Sequence, residues 1–395
     1  SINFWQFPIF VFFREGWKMS DVFIVSALRT PIGVGKPSGA LAPFAPVDLA
    51  ALVLREVVRR AGVDAGRVED VIWGCVTPIG DQGANLGRLA VLKAGFPVTI
   101  PAVTISRMCG SGQQAVHFAS QAILSGDMDL IIAGGSEMMS HQPLGADYPP
   151  NWPEDFPYEL VHQGISAEMM AEKWHLSRDE LDDFGYQSHL RAMHAIQAGY
   201  FESQVLPLVR PDGRLVSVDE GVRIPPDRQR MAGLKPAFKP DGVVTAGNSS
   251  QISDGAAALL LASAKAIGRY NLNPLARIAA RYVVGSDPVL MLDGPIPATR
   301  QVLKRAKLSL EDIDVVEINE AFASVVLAWA CEFGIDLEKV NPNGGAIAHG
   351  HPLGATGAIL MTKLVYELVR RQARYGLQTM CIGHGMATAT VIERV

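Results

Sequence analysis

The chain has 395 residues, 48% of them hydrophobic and 19% charged, with a formal net charge of -5. Such a length buries a large core and is enough for two or three structural units. No basic excess is present to concentrate nucleic acid or anionic lipid, so nucleic-acid binding and stable membrane insertion are set aside, and an acidic ligand would have to be held by local groups.

Residues 1–18, SINFWQFPIFVFFREGWK, are aromatic and apolar from Phe4 to Phe13 but too short to span a bilayer, and they carry no positive start or small-residue cleavage site. They read as a leader outside the fold, with Met19 as the natural start; the alternative is a segment that touches a membrane. From Asp21 a strand-like run, DVFIVSALR, begins the first half. Asp48 then opens an amphipathic helix with apolar Leu49, Leu52, Val53 and Val57, closed by Gly62 and followed by a buried strand in GRVEDVIWGCV.

Next, the strand-like PAVTIS leads into RMCGSGQQAVHFASQAILSG, which places Cys109 just ahead of a helix-length segment. A thiol there feels the helix dipole and unpaired backbone N–H groups, which favour its nucleophilic thiolate. Gly110 and Gly112 allow a ligand to approach the backbone closely. Packing is the alternative reading of a cysteine in this place. LIIAGG, a further strand, closes the half.

From about Ser140 to Gln251 the chain changes character, becoming rich in Pro, Asp and Arg, with one helical run from Ser166 to Ala198. It reads as an inserted loop domain. The expected division is thus a leader at 1–18, an N-terminal half at 19–139, the insert at 140–251, a return to the first half at 252–272, and a C-terminal half at 273–395.

The second half repeats the first. LARIAARYVVG is its opening strand, and PATRQVLKRAKLSLEDIDVVEINEAF repeats the order of helix, acidic pair and strand. The same 39 positions separate Asp70 from Cys109 and Asp312 from His351. Alternating strands and helices in both halves predict an α/β fold of two related halves, with mixed or parallel sheets layered with helices. Ligand sites are expected where the halves meet.

Three further runs carry polar groups at strand or loop ends. In NGGAIAHGHPLGATGA, His349 and His351 are both candidates, and the repeat selects His351 as the counterpart of Cys109. TMCIGHGMATATVIERV sets Cys381 at a strand end with Gly383 and Gly385 behind it, where a backbone N–H can face an oxyanion. INEAFAS projects Asn319 and Glu320 beyond an apolar strand. Each run taken alone also reads as a loop or strand terminus; four together, two of them repeat mates, favour a reactive site.

Only four cysteines occur, Cys75, Cys109, Cys331 and Cys381, and none stand at C-x-x-C spacing. That argues against a disulfide framework or a thiolate metal site and for a reducing, cytoplasmic setting with one or two working thiols. Cys75 and Cys331, in the apolar runs VIWGCV and VVLAWACEF, read as core.

At these four motifs the chain resembles the thiolase family, over nearly all of Met19 to Val395. The resemblance implies an acyltransferase in which Cys109 is the acylated nucleophile, His351 activates it and polarises the thioester oxygen, and Cys381 is the general acid/base. Asn319 would hold a water beside His351 in one oxyanion hole, with the N–H groups of Cys109 and Gly383 forming the other. It implies no permanently bound cofactor, with coenzyme A as co-substrate. CoA would lie along RIPPDRQRMAGLKPAFKPDGVVTAGNSSQISDGAA: Arg223 near the adenine nucleotide, Leu234 and Phe238 against adenine and pantetheine, and Ala246 and Ser250 along the pantetheine arm. His162, Ala321 and Phe322 would complete the channel.

The expected reaction is thiolytic cleavage of a 3-ketoacyl-CoA, releasing acetyl-CoA as in fatty-acid β-oxidation; the alternatives are condensation of two acetyl-CoA and a non-catalytic CoA- or lipid-binding homologue. A homodimer or homotetramer, and a β-oxidation partner enzyme, are further implied. Three positions depart from the family pattern: Ser106 replaces an asparagine, His384 interrupts a run of glycines, and Gln163 replaces the methionine of acetoacetyl-specific members. The last favours a degradative enzyme of broader range.

Overall fold

A computed structural model describes residues 21–395; the leader at 1–18 lies outside them. The first half runs β1 (Val22–Arg29), β2 (Gly33–Val34), α1 (Pro46–Ala61), β3 (Asp70–Gly74), α2 (Leu86–Lys93), β4 (Ala102–Ile105), α3 (Ser111–Ser125) and β5 (Leu130–Met138). The stretch after it holds α4 (Gln163–Lys173), α5 (Arg178–Gln197), a short ribbon of β6 (Leu208–Val209) and β7 (Leu215–Val216), and α6 (Arg228–Ala232). The chain then returns through β8 (Ser253–Ser263) and α7 (Ala264–Tyr270). In the second half come β9 (Ala276–Gly285), α8 (Pro295–Ala306), β10 (Val315–Ile318), α9 (Ala323–Phe333), α10 (Ala346–His349), α11 (Leu353–Arg371), β11 (Tyr375–Ile382) and β12 (Met386–Arg394).

The internal repeat is visible in strand pairing. β1, β8, β5 and β3 are neighbours in that order, and β9, β12, β11 and β10 are neighbours in the matching order. In each set the first two pairings are antiparallel and the last is parallel. A short antiparallel pairing of β1 with β9, Phe23 opposite Arg277 and Ile24 opposite Ala276, joins the two sets into one mixed sheet. At those two positions each half pairs the edge of the other.

Alternation along β1 sorts its side chains into two cores. Phe23 and Val25 pack with Leu49, Val53 and Val57 of α1, the amphipathic face that the sequence predicts. Val22 and Ile24 face a second core holding Val116 and Ile123 of α3 and Ile359 and Leu364 of α11. This central core also takes Val315 of β10 and Ile392 of β12, so α3 and α11 lie between elements of both halves. Their crossing is tight: a Cβ on Gly112 would sit 2.8 Å from the Gly354 carbonyl oxygen, and one on Gly357 would sit 2.1 Å from the Gln113 nitrogen. Glycine at these places lets the N-terminal ends of α3 and α11 approach each other, and these are the ends that follow Cys109 and His351.

Three expectations are corrected. The single helical run from Ser166 to Ala198 is two helices, because His175 takes a left-handed φ of 55° and Ser177 with Glu180 forms a capping box that starts α5 afresh. The first amphipathic helix begins at Pro46, with Asp48 inside its first turn. Cys331 is exposed, unlike Cys75. It sits beside Glu332 in the last turns of α9, whose buried face is carried by Val325, Val326, Ala328 and Trp329.

Candidate active site

β4 and the turn after it bring Cys109 to the start of α3, where Gly110 is the N-cap. The residue is 5% exposed. Burial pushes its thiol up to about 11, against the opposing pull of hydrogen bonds from the Gly383 N–H, its own N–H and the Gln163 side chain. The position ahead of a helix is expected to favour the thiolate, and the donors are there, but desolvation outweighs them. Cys109 therefore rests as a thiol at neutral pH and needs a base.

His351 sits ahead of α11, whose first residue is Leu353. Its backbone N–H reaches Gln251 O and Ser253 Oγ, each at 3.1 Å. Its Nδ1 lies 2.6 Å from Thr356 Oγ1, and that hydroxyl already donates to Pro352 O at 2.8 Å. Thr356 can then only accept from the ring, so the proton is on Nδ1 and Nε2 is bare. Asn319 donates its Nδ2 to Nε2 at 3.3 Å, while its Oδ1 is buried with no hydrogen-bond partner among the described residues. Burial lowers the His351 imidazolium to about 4, so the ring is neutral at pH 7. The other candidate, His349, uses both ring nitrogens, on Asp219 at 2.7 Å and on Asn343 O at 2.8 Å, and serves as a brace.

Cys381 is the penultimate residue of β11 and is 1% exposed. Burial pushes its thiol far up, and Cys109 would push it further once ionised, so it too is protonated at rest. Glu320, next to Asn319, is turned into the protein by Ser188 at 2.7 Å, Asn341 at 2.9 Å and the Ile347 N–H at 3.1 Å. It therefore holds the loop rather than facing the reacting groups.

A cleft of about 610 Å³ opens onto this cluster, within the usual range for a small-molecule site. Gly383, Gln163 and His351 line it, and Cys109, Cys381 and Asn319 lie just behind those residues. Of the channel residues expected from sequence, His162, Phe238, Ala246, Ser250, Ala321 and Phe322 line the cleft. The His162 ring stacks on Phe238 with centroids 5.1 Å apart, and Phe238 meets Phe322 edge-on at 5.9 Å. A Cβ on Gly164 would stand 2.2 Å from the Phe238 ring, so glycine is required for that stack. Arg223 and Leu234 are not part of the lining. Arg223 is exposed, with its backbone N–H on His189 Nδ1, and Leu234 packs beside Gly247.

Sequence reasoning passed over Thr356, which stands in the marked run GATG five positions after His351. Gln163 was marked for substrate range but not as a partner of the sulfur. Tyr148 and Trp152, also in the lining, come from a Pro-rich loop with no periodic signal. Ser106 is exposed. Among the described residues no group of three or more His, Cys, Asp or Glu could hold a metal ion, and no helix is long and apolar enough to cross a membrane.

Comparison with known proteins agrees with this geometry. Residues 22–265 match the family model for the thiolase N-terminal domain and residues 272–394 that for the thiolase C-terminal domain. The chain is 48% identical to a protein named steroid 3-ketoacyl-CoA thiolase FadA6 from Mycobacterium tuberculosis, over 96% of each chain. It is 42% identical to a 3-ketoacyl-CoA thiolase of Bacillus subtilis, covering 95% of this chain and all of the relative. The crystal structure of the Bacillus anthracis acetyl-CoA acetyltransferase superposes with a TM-score of 0.88 at 40% identity, over 95% of this chain and 99% of the other. The chain belongs to the thiolase family.

Proposed function

We propose that the protein is a 3-ketoacyl-CoA thiolase working in the degradative direction, and that Cys109, His351 and Cys381 carry its chemistry. The observation that carries this reading is the Cys109 thiol, held by the N–H groups of Gly383 and of Cys109 itself and by Gln163, at the base of a cleft that His351 also lines.

The Cys109 proton passes to the bare Nε2 of His351 as the sulfur adds to the 3-keto carbon of the substrate. The oxygen of that adduct takes its negative charge where the N–H groups of Cys109 and Gly383 already point. When the C2–C3 bond breaks, acetyl-CoA leaves as an enolate, whose oxygen is held by protonated His351 and by a water on the free Oδ1 of Asn319. Cys381 protonates the enolate carbon. CoA then gives its thiol proton to the Cys381 thiolate, takes the acyl group from Cys109 and leaves as a shortened acyl-CoA, while the proton on His351 returns to Cys109. Run in reverse, the same groups condense two acetyl-CoA.

Coenzyme A is a co-substrate in this account. Its pantetheine arm lies between the His162–Phe238–Phe322 aromatic wall and the strand-like turn at Ala246 to Ser250, and its adenine nucleotide lies toward the solvent, where Arg223 and Leu234 stand outside the cleft. Four free cysteines suit a cytoplasmic setting. A homo-oligomer is supported by β4, an edge strand that exposes Val103, with Leu89 and Phe118 exposed on α2 and α3, which carry the same half.

The test is thiolysis of 3-ketoacyl-CoAs from four carbons upward. Activity on chains longer than acetoacetyl-CoA is expected, because Gln163 stands where methionine accompanies a small acetyl pocket. Strict preference for acetoacetyl-CoA would overturn the degradative assignment.

A further inference from the structure

We propose that His384 is a specificity-determining residue that hydrogen-bonds a neutral oxygen, a keto or hydroxyl group, carried on the acyl part of the substrate. This rests on the thiolase reading above and names the substrate class of the same site. His384 follows Gly383, whose N–H touches the Cys109 sulfur, and it lines the cleft. It takes a φ of 64°, a left-handed conformation that a side-chain-bearing residue adopts at a cost. A backbone that asks for glycine at this place carries an imidazole instead.

The ring is held on two sides by aromatics, Tyr148 with centroids 5.9 Å apart and Trp152 edge-on at 5.9 Å. Tyr148 is raised mainly by burial and is close enough to Cys109 to feel that sulfur when it ionises. This trio therefore lines the cleft near the sulfur that takes up the acyl group. The nitrogen Nδ1 of His384 is buried and has no hydrogen-bond partner among the described residues. Being sealed by the protein, that nitrogen is out of a ligand's reach, so Nε2 is the nitrogen that this cleft-lining ring can offer to a substrate oxygen.

The surroundings set the ligand's character. Met139, Leu144, Met291 and Leu353 line the same cleft, which suits a bulky apolar body. No Lys or Arg is in the lining, and the charge of Asp147 reaches Tyr148, so a carboxylate is disfavoured at this end and an uncharged oxygen is favoured.

The experiment compares kcat/KM for three 3-ketoacyl-CoAs of equal length: one unsubstituted, one bearing a distal hydroxyl or keto oxygen, and one bearing a distal carboxylate. The readout is the ratio of the oxygenated to the unsubstituted substrate, in the wild type, His384→Ala and His384→Asn. Asparagine tolerates the left-handed backbone and keeps a hydrogen-bonding group. The ratio should fall on the order of tenfold in His384→Ala, the cost of one buried hydrogen bond left unmade, and should be partly restored in His384→Asn. A ratio unchanged by both substitutions, or a wild type that prefers the carboxylate, would overturn the assignment of His384. A wild type that cleaves none of the three would instead overturn the thiolase reading on which it rests.

Discussion

Nδ1 of His351 lies 2.6 Å from Oγ1 of Thr356, and because that hydroxyl is committed to Pro352 O, the ring must donate there and keep Nε2 bare. The tautomer needed for a base is thus written into the first turn of α11. Thr356→Val keeps the shape and removes the acceptor. Its kcat for thiolysis should fall by about tenfold or more, as expected for one lost orienting hydrogen bond, with Thr356→Ser close to wild type. Equal loss in both variants would show that Thr356 acts through packing.

The resting protonation of Cys109 is open to alkylation kinetics. With the thiol pushed up to about 11 by burial, the thiolate fraction at neutral pH is small and grows about tenfold per pH unit. The rate of iodoacetamide modification at Cys109, read by peptide mass, should rise across pH 7 to 9 without levelling. A rate that is flat from pH 6 upward would mean a thiolate already present at rest.

Gln163 donates to the same sulfur. Gln163→Leu removes one of three donors and should slow alkylation at fixed pH by roughly tenfold, about one unit of thiol pKa. No change would show that the amide serves only the substrate.

The brace beneath the site predicts stability. Arg29 holds both carboxylate oxygens of Asp219, at 2.7 and 3.1 Å, and His349 adds a third contact, all of it buried. Burial alone would raise the Asp219 carboxyl, but Arg29 and His349 hold it well below the usual carboxylate range. Because the folded value lies below the unfolded one, its stabilisation is complete above the unfolded value of about 4 and is lost as pH falls toward the folded value. Arg29→Met should cost about 3–5 kcal/mol in urea unfolding at pH 7, the cost of taking the guanidinium away from a buried carboxylate. A loss under about 1 kcal/mol, the range of a solvated surface pair, would contradict it.

Much of this was legible beforehand because it lay in local pattern. The apolar spacing of Leu49, Val53 and Val57 marks α1, and the matched distances from Asp70 to Cys109 and from Asp312 to His351 mark the repeat that pairs α3 with α11. Less legible were features set by tertiary packing. Burial of Cys109 reverses the effect of the helix end on its thiol, and a strand pairing at Phe23 and Ile24 fuses the halves into one sheet. The choice between His349 and His351 followed from the repeat, whereas its physical reason, the capture of His349 by Asp219, needed residues 130 positions apart. Tyr148 and Trp152 reach His384 from a loop whose sequence has no period to read.

The central claim is the division of labour between Cys109 and Cys381, and intact-mass spectrometry after mixing with acetyl-CoA tests it directly. Cys381→Ala should still gain one acetyl group on Cys109 while thiolysis and condensation fall by at least on the order of 10²–10⁴, the usual contribution of a positioned acid/base. Cys109→Ala should gain no adduct and show no turnover. An acetyl adduct on Cys109→Ala, or none on a folded Cys381→Ala, would contradict the account.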